Sequence, residues 1–385
     1  MSWVIRQAAD GKDVRRTMPE ILIRAESLRR VVHKIFIAVG CSPEEAARVA
    51  RHLVGANLAG HDSHGVIRIP RYLQWVDKGS LKPNQTATVI GESDTMALLE
   101  GNFGFGSTLG PEAVAIGVKK ATAAGVAVVA LRRSGHLGRI GEWAEMAAAA
   151  GLVSIHFVNV SGSILVAPFG SPERRMSTNP IAIGVPRPDG PPLVFDATTS
   201  VVAEGKIAVA FSGGKPLPEA SLIDRDGRLS SDPAIFYGPK QPGQPPDSSQ
   251  GTAAIRAMGE HKGSGLSFMI DLLAGALTGS GCSGPPPRPF ANGMLSIYLK
   301  PEIFDRSGGF AAEVREYLRF FKSARPLRAG DEVLAPGEPE LKTRAAREVQ
   351  GIPLAEEAWH DILSAAERAG LDRKDLERIA GAVAK

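Results

Sequence analysis

Nine consecutive residues, Gly60-His61-Asp62-Ser63-His64-Gly65-Val66-Ile67-Arg68, hold two imidazoles, a carboxylate, a hydroxyl and a guanidinium. Packing alone does not call for that mixture. A histidine flanked by a hydroxyl and a carboxylate can be held in one tautomer, and modest changes around it move its proton across neutral pH. A guanidinium a little further along the chain offers a planar fork that matches a carboxylate. The stretch therefore reads as a proton-transfer site at His64, with Arg68 as the clamp for an anionic substrate. His61 and Asp62 suit that site and suit equally a hydrogen-bonded structural pair.

Three further places carry candidate chemistry. His136 stands between Gly135 and Gly138, where glycine lets backbone approach a ligand closely, and the run His136-Leu137-Gly138 suits a cofactor. Ser177, Thr178 and Asn179 offer short hydrogen-bonding side chains before Pro180, as an ordinary turn also would. His261 and Lys262 precede Gly263 and Gly265 at the entry to an apolar helix, where N–H groups and an ammonium suit a pyrophosphate. His156 lies in an apolar run and reads as a core residue; His33, His52 and His360 lie on helical segments and read as surface or packing positions.

Two segments imitate nucleotide motifs without matching them. Gly104-Phe105-Gly106 with Gly110 has its third glycine misplaced for a dinucleotide fingerprint, and Ser212-Gly213-Gly214-Lys215 lacks the leading glycine of a P-loop. The residues alone thus define an acid/base site with an anion clamp and leave the reaction open. A metal-dependent hydrolase with His61, His64, His136 and Asp196 as ligands is a second reading. The spacing His61-x-x-His64 is not the helical i, i+4 pair of the zincins, which ranks that reading lower. A third is a binding protein that holds a cofactor without turnover.

The elements that must position these groups follow from local signals. Leu28, Val31, Val32, Ile35 and Phe36 recur at helical spacing over Ala25 to Val39, and Gly40 ends that helix. Ser42-Pro43-Glu44-Glu45 starts another with an N-cap serine and a first-turn proline, running to about Leu58. Pro70 places the start of the next helix near Ile69, so His64 and Arg68 fall on its lead-in. Beyond Val126, β-branched runs alternate with helices: strands at 126–131, 153–160, 181–185, 193–195 and 294–299, and helices at 141–150, 266–277 and 311–321. The 266–277 helix is apolar enough to predict burial on most sides. Segments 238–251 and 279–289 are rich in proline and glycine and read as loops, and 354–369 with 372–384 as a closing helical pair.

At 385 residues the chain is long enough for two domains. Lys and Arg total 45 against 41 Asp and Glu, and the basic residues are scattered, so nothing points to nucleic acid. Cys41 and Cys282 show no metal-type spacing and suit free thiols in a reducing compartment. No secretory leader is evident, and the apolar run Gly265 to Thr278 is broken by Asp271 and too short to span a bilayer. A soluble cytoplasmic protein without a membrane partner is the expectation, with residues 1–20 a poorly ordered extension.

In order along the chain, Gly60 to Arg68, Ser134-Gly135-His136-Leu137-Gly138, Met176 to Pro180, Val194 to Ser200 and His261 to Leu266 resemble the malate/L-lactate dehydrogenase family. This is the non-Rossmann family that also includes ureidoglycolate, sulfolactate and diketogulonate dehydrogenases and piperideine-2-carboxylate reductases. The likeness runs from about Ile23 to Gly370. It implies an α/β fold with a non-Rossmann NAD(P)-binding domain built on a mixed sheet at 128–300. A helical and α+β domain for catalysis and dimerisation would come from 21–127 and 301–385, in a homodimer. It also implies reversible hydride transfer between NAD or NADP and a small acidic 2-hydroxy or 2-oxo acid, or reduction of a cyclic imino acid.

On that resemblance His64 is the proton donor and acceptor, Ser63 and Asp196 orient it and raise its pKa, and Arg68 binds the substrate carboxylate. Some relatives give the acid/base role to the histidine at position 136 instead. His136, Leu137, Gly138, Ser177, Thr178, Asn179, His261 and Lys262 become cofactor contacts. Departures from the family pattern are mild: the segment Lys215 to Asp224 lacks a tryptophan often found there, and Pro285-Pro286-Pro287 is unusual.

Overall fold

The computed structural model describes residues 20–212, 216–239, 246–285 and 287–384. The expected extension therefore lies outside the described residues except for Glu20, which opens a strand, and so do Gly213 to Lys215.

Helices Ala25–Ala38 and Pro43–Leu58 form where the spacing predicts them, and the Ser42 hydroxyl accepts the Glu45 N–H at 3.2 Å. Leu28, Val31, Ile35 and Phe36 face Val49, Leu53 and Val54, and the C-terminal helices Glu356–Arg368 and Arg373–Ala380 close the same core with Trp359, Ile362 and Leu376. The two ends of the chain are also joined by a small sheet. Strand Glu20–Ile23 pairs antiparallel with Ile352–Ala355 on one side and Val383–Ala384 on the other.

A second core lies on a seven-stranded sheet, with strands in the order Thr88–Glu92, Met96–Glu100, Val126–Ser134, Ala291–Leu299, Val153–Ser161, Ile181–Val185 and Leu193–Ala197. Only the pairing of Met96–Glu100 with Val126–Ser134 is parallel, and helix Gly106–Ala124 makes that crossover. The sheet is mixed, as expected, and mostly antiparallel. Its first two strands lie before position 128, in the segment expected to belong to the other domain. Leu99 is in register with Leu131, and Ala97, Leu99 and Leu109 share one core with Val129. The decoy glycines belong to this packing: Gly106 opens the crossover helix, and a Cβ at Gly110 would lie 2.6 Å from the Trp143 ring.

Helix Gly141–Ala149 covers one face of the sheet through Trp143, Ala144 and Ala147. The other face carries helix His261–Ile270, which runs into a π-turn at Asp271–Ala276. Here the expectation of burial fails. Phe268, Met269, Leu272 and Leu277 are exposed, because only the side bearing Ile270 and Ala274 meets the sheet.

Candidate active site

The signature stretch leaves helix Pro43–Leu58 through Gly60 (φ +81°) and folds into two short 3-10 turns, Asp62–His64 and Val66–Arg68. Asn57, on the last turn of the helix, holds them. Its amide oxygen accepts Val66 N–H at 2.9 Å and its amide nitrogen donates to Asp62 Oδ1 at 2.7 Å. A Cβ at Gly65 would lie 2.2 Å from that amide oxygen, so only glycine fits there. Arg347, on helix Glu338–Gln350, grips Asp62 with two parallel bonds of 2.7 and 2.9 Å. Asp62 is thus held from two sides, by Asn57 and Arg347, and it also lines a cavity beside the loop. His61 Nε2 lies 3.2 Å from Glu340 Oε1 on the same helix.

Ser63 Oγ is 2.9 Å from His64 Nδ1, which leaves Nε2 as the nitrogen of His64 available to a substrate. His136 has the matching arrangement, with Tyr72 Oη 2.7 Å from its Nδ1. The two rings stack on each other, 5.6 Å between centroids and 10° from parallel. The two histidines that compete in the sequence therefore form one unit. Leu137 is buried and donates its N–H to Asn292 Oδ1 at 2.8 Å, while Gly138 turns the chain with φ +66°.

Burial, reinforced by the positive fields of His136 and Arg68 and then of His61 and His52, pushes the His64 pKa well below the ordinary imidazole range. Burial, Arg68 and His52 do the same to His136. This reverses the expectation of a carboxylate raising the pKa of His64. Asp196 instead accepts the Gly141 N–H at 2.8 Å, at the start of helix Gly141–Ala149, where backbone donors favour an anion.

Arg68, expected as the substrate clamp, is engaged within the protein. Its Nη1 donates to Glu204 Oε2 at 2.8 Å and its Nε to the Ser63 carbonyl at 2.7 Å, so the fork ties the histidine loop to helix Glu204–Phe211. Burial opposes the charge on both partners, yet their attraction prevails: the Glu204 pKa lies below its usual value and that of Arg68 above. Tyr237 Oη also hydrogen-bonds Glu204. Sequence reading missed Tyr72, Glu204 and Arg347. Tyr72 alone left a signal, since it follows Arg68 by one helical turn at the start of helix Ile69–Asp77.

His64 opens on a cavity of about 530 Å³, shared with Ser63, Gly138, Arg139, Asp196, Thr198 and Ser200. An adjoining cavity of about 310 Å³ is lined by His61, Lys206 and Pro216 to Pro218, the segment that lacks the tryptophan. Of the other expected cofactor residues, Ser177 has a buried hydroxyl without a partner among the described residues. The Thr178 carbonyl accepts from Thr199, and Asn179 is fully buried with its amide engaged by Ser267 and Val160. His261 and Lys262 are exposed and do not line the His64 cavity.

Two of the four expected metal ligands are engaged elsewhere, His61 with Glu340 and Asp196 with Gly141. Among the described residues no group of three or more His, Cys, Asp or Glu is placed to hold an ion.

The family model for malate/L-lactate dehydrogenase matches residues 23–363. Hydroxycarboxylate dehydrogenase B of Escherichia coli strain K12 is 38% identical over 358 residues, covering 92% of this chain and 96% of that protein. The structure of malate dehydrogenase from Pyrococcus horikoshii OT3 superimposes with a TM-score of 0.78 at 28% identity, covering 92% and 97% of the two chains. That of Δ1-piperideine-2-carboxylate reductase from Pseudomonas syringae gives 0.73 at 30% identity, covering 89% and 98%.

Proposed function

The chain belongs to the malate/L-lactate dehydrogenase family and is a 2-hydroxy-acid dehydrogenase, and we propose that it transfers hydride reversibly between NAD or NADP and a small acidic 2-hydroxy acid. The observation that carries this reading is the stacked pair His64 and His136, each with Nδ1 held by a hydroxyl and Nε2 left over. In oxidation the neutral His64 takes the proton of the substrate hydroxyl. In reduction the protonated ring returns it to the carbonyl oxygen, which avoids a free alkoxide. Ser63 fixes the tautomer, and Tyr72 does the same for His136.

The residues present fit a nicotinamide dinucleotide. The cavity volume falls within the usual range for small-molecule sites, about 300 to 1,000 Å³, and the buried Ser177 hydroxyl lacks a partner among the described residues. Gly138, Thr198 and Ser200 line the cavity and would meet the nicotinamide end; Ser177 and Thr178 are proposed as further contacts to the dinucleotide. His261 and Lys262, at an exposed helix start, would meet a phosphate group. The dinucleotide supplies the hydride, and the protein supplies orientation and the proton.

Reduction of a cyclic imino acid is the second reading, supported by the likeness to the piperideine-2-carboxylate reductase structure, with nitrogen in place of oxygen as proton acceptor. A homodimer is proposed as well. Helix Phe310–Lys322 buries none of its residues and exposes Tyr317 and Phe320, while its Phe321 lines the His64 cavity, so a second copy on that helix would lie beside the site. Among the described residues no helix is long and apolar enough to cross a membrane, and a cytoplasmic location is proposed with that in mind.

The test is a panel of 2-oxo acids and cyclic imino acids with NADH and with NADPH, followed at the nicotinamide absorbance. Turnover of at least one 2-oxo acid is expected. Reaction of imino acids alone would select the second reading, and no oxidation of either cofactor with any member would overturn both.

A further inference from the structure

Helix Pro43–Leu58 belongs to the helical core, yet one of its side chains reaches the loop that carries His136. His52 is 3% exposed. Its Nδ1 lies 2.6 Å from Glu142 Oε2, and its ring lies flat on the Trp143 indole, 5.0 Å between centroids and 6° from parallel. The opposite edge meets the turn just beyond His136. A Cβ at Gly138 would lie 1.9 Å from His52 Nε2, and that nitrogen has no hydrogen-bond partner among the described residues.

Space filling does not require this arrangement. An aliphatic side chain would cover Trp143 without an imidazole–carboxylate pair, whose burial is costly and commonly offsets the attraction within it. What the pair provides is rigidity at one place. Glu142 and Trp143 follow Gly141 on a helix whose start is itself pinned by Asp196, so His52 is locked to a fixed reference.

We propose that His52 is a positioning residue of the acid/base site: locked by Glu142 and Trp143, it backs the Gly138 turn and sets where His136 meets His64. The inference rests on the histidine pair being that site, which His64→Ala tests separately. His136 faces Tyr72, His64 and Arg68, and His64 also feels His61; Glu142 feels Arg139 and Arg51 in addition to His52.

His52→Asn keeps a donor near the Nδ1 position but removes the ring; Glu142→Gln keeps the ring and a hydrogen bond but removes the carboxylate. Both are assayed for kcat and KM across pH, with melting temperature measured alongside. The expected result is a fall in kcat of about tenfold or more in both variants, since small misplacement of a reacting group is costly. KM for the nicotinamide cofactor should change by less than about threefold. Folded variants with unchanged kcat would overturn the proposal. So would losses that merely track a lowered melting temperature in both variants.

Discussion

The rings of His64 and His136 lie face to face, 5.6 Å between centroids, and the hydroxyls of Ser63 and Tyr72, not carboxylates, hold their Nδ1 atoms. Two half-buried imidazoles in contact cannot both carry a proton cheaply, so the pair titrates as one unit. Burial and the Arg68 cation keep that unit neutral at rest. Neutral is the form a base needs for oxidation of a hydroxyl.

The two rings are not equivalent, because His64 lines the 530 Å³ cavity and His136 does not. His64→Ala should therefore lower kcat by about two to four orders of magnitude, the usual worth of a positioned acid/base group. Nicotinamide fluorescence should still report cofactor binding. His136→Ala should lose less. The opposite ranking would transfer the proton to His136, and near-normal turnover in both variants would remove the pair from the mechanism.

An arriving anion changes the balance. A substrate carboxylate placed near the pair favours the imidazolium that burial and Arg68 oppose, so binding of a 2-oxo acid should draw up to about one proton from solvent near pH 7. Calorimetry in buffers of different ionisation enthalpy measures that uptake. Binding heats that do not vary with the buffer would show that the ring is already protonated or is never reached.

Much of this site was legible because its chemistry is local. Ser63 and His64 are neighbours, Ser42 and Pro43 start the helix that delivers them, and the glycines around His136 mark a loop close to a ligand. What sequence reading missed came from distance. Glu204 meets Arg68 across 136 positions and Arg347 meets Asp62 across 285, and neither partner carries a local sign of the other. Asp196 is linked to His64 by resemblance alone; in the fold it lines the His64 cavity and accepts the Gly141 N–H. The strands Thr88–Glu92 and Met96–Glu100 escaped because the first is an exposed edge with no apolar alternation, so pairing with the second, not burial, makes it a strand.

The Arg68–Glu204 pair offers a test of stability. Side-chain exposures of 15% and 18% place both charges mostly out of water, where removing one partner leaves the other uncompensated. Glu204→Gln keeps the shape but leaves the guanidinium without its counter-charge, and should lower unfolding free energy by roughly 3 kcal/mol or somewhat more. Because Arg68 Nε also holds the Ser63 carbonyl, Arg68→Lys should lower kcat as well as raise the substrate KM. A denaturant midpoint unchanged in Glu204→Gln would mean that solvent screens the pair. A change in KM alone for Arg68→Lys would return that residue to a simple clamp.

Acid should weaken the fold before most carboxylates titrate. His64, His136 and His156 all have pKa values below the ordinary 6.5, the last at about 3 because it is fully buried between Ser154 and Ser296. Each is neutral in the folded chain and takes a proton near 6.5 once unfolded. Their contribution to stability is therefore complete above that pH and is lost as pH falls below it, at about 1.4 kcal/mol per pH unit for each histidine that stays neutral. The depressed carboxylates Glu142 and Glu204 act in the same direction, but only below the ordinary carboxylate value of 4.5. Between pH 6 and 5 the histidines dominate, so unfolding free energy should fall steeply there, and His156→Asn should make the slope shallower by about one histidine's share. A parent curve flat across that interval would mean that the three rings are solvated enough to protonate in place, and would undo the argument that His64 and His136 rest neutral.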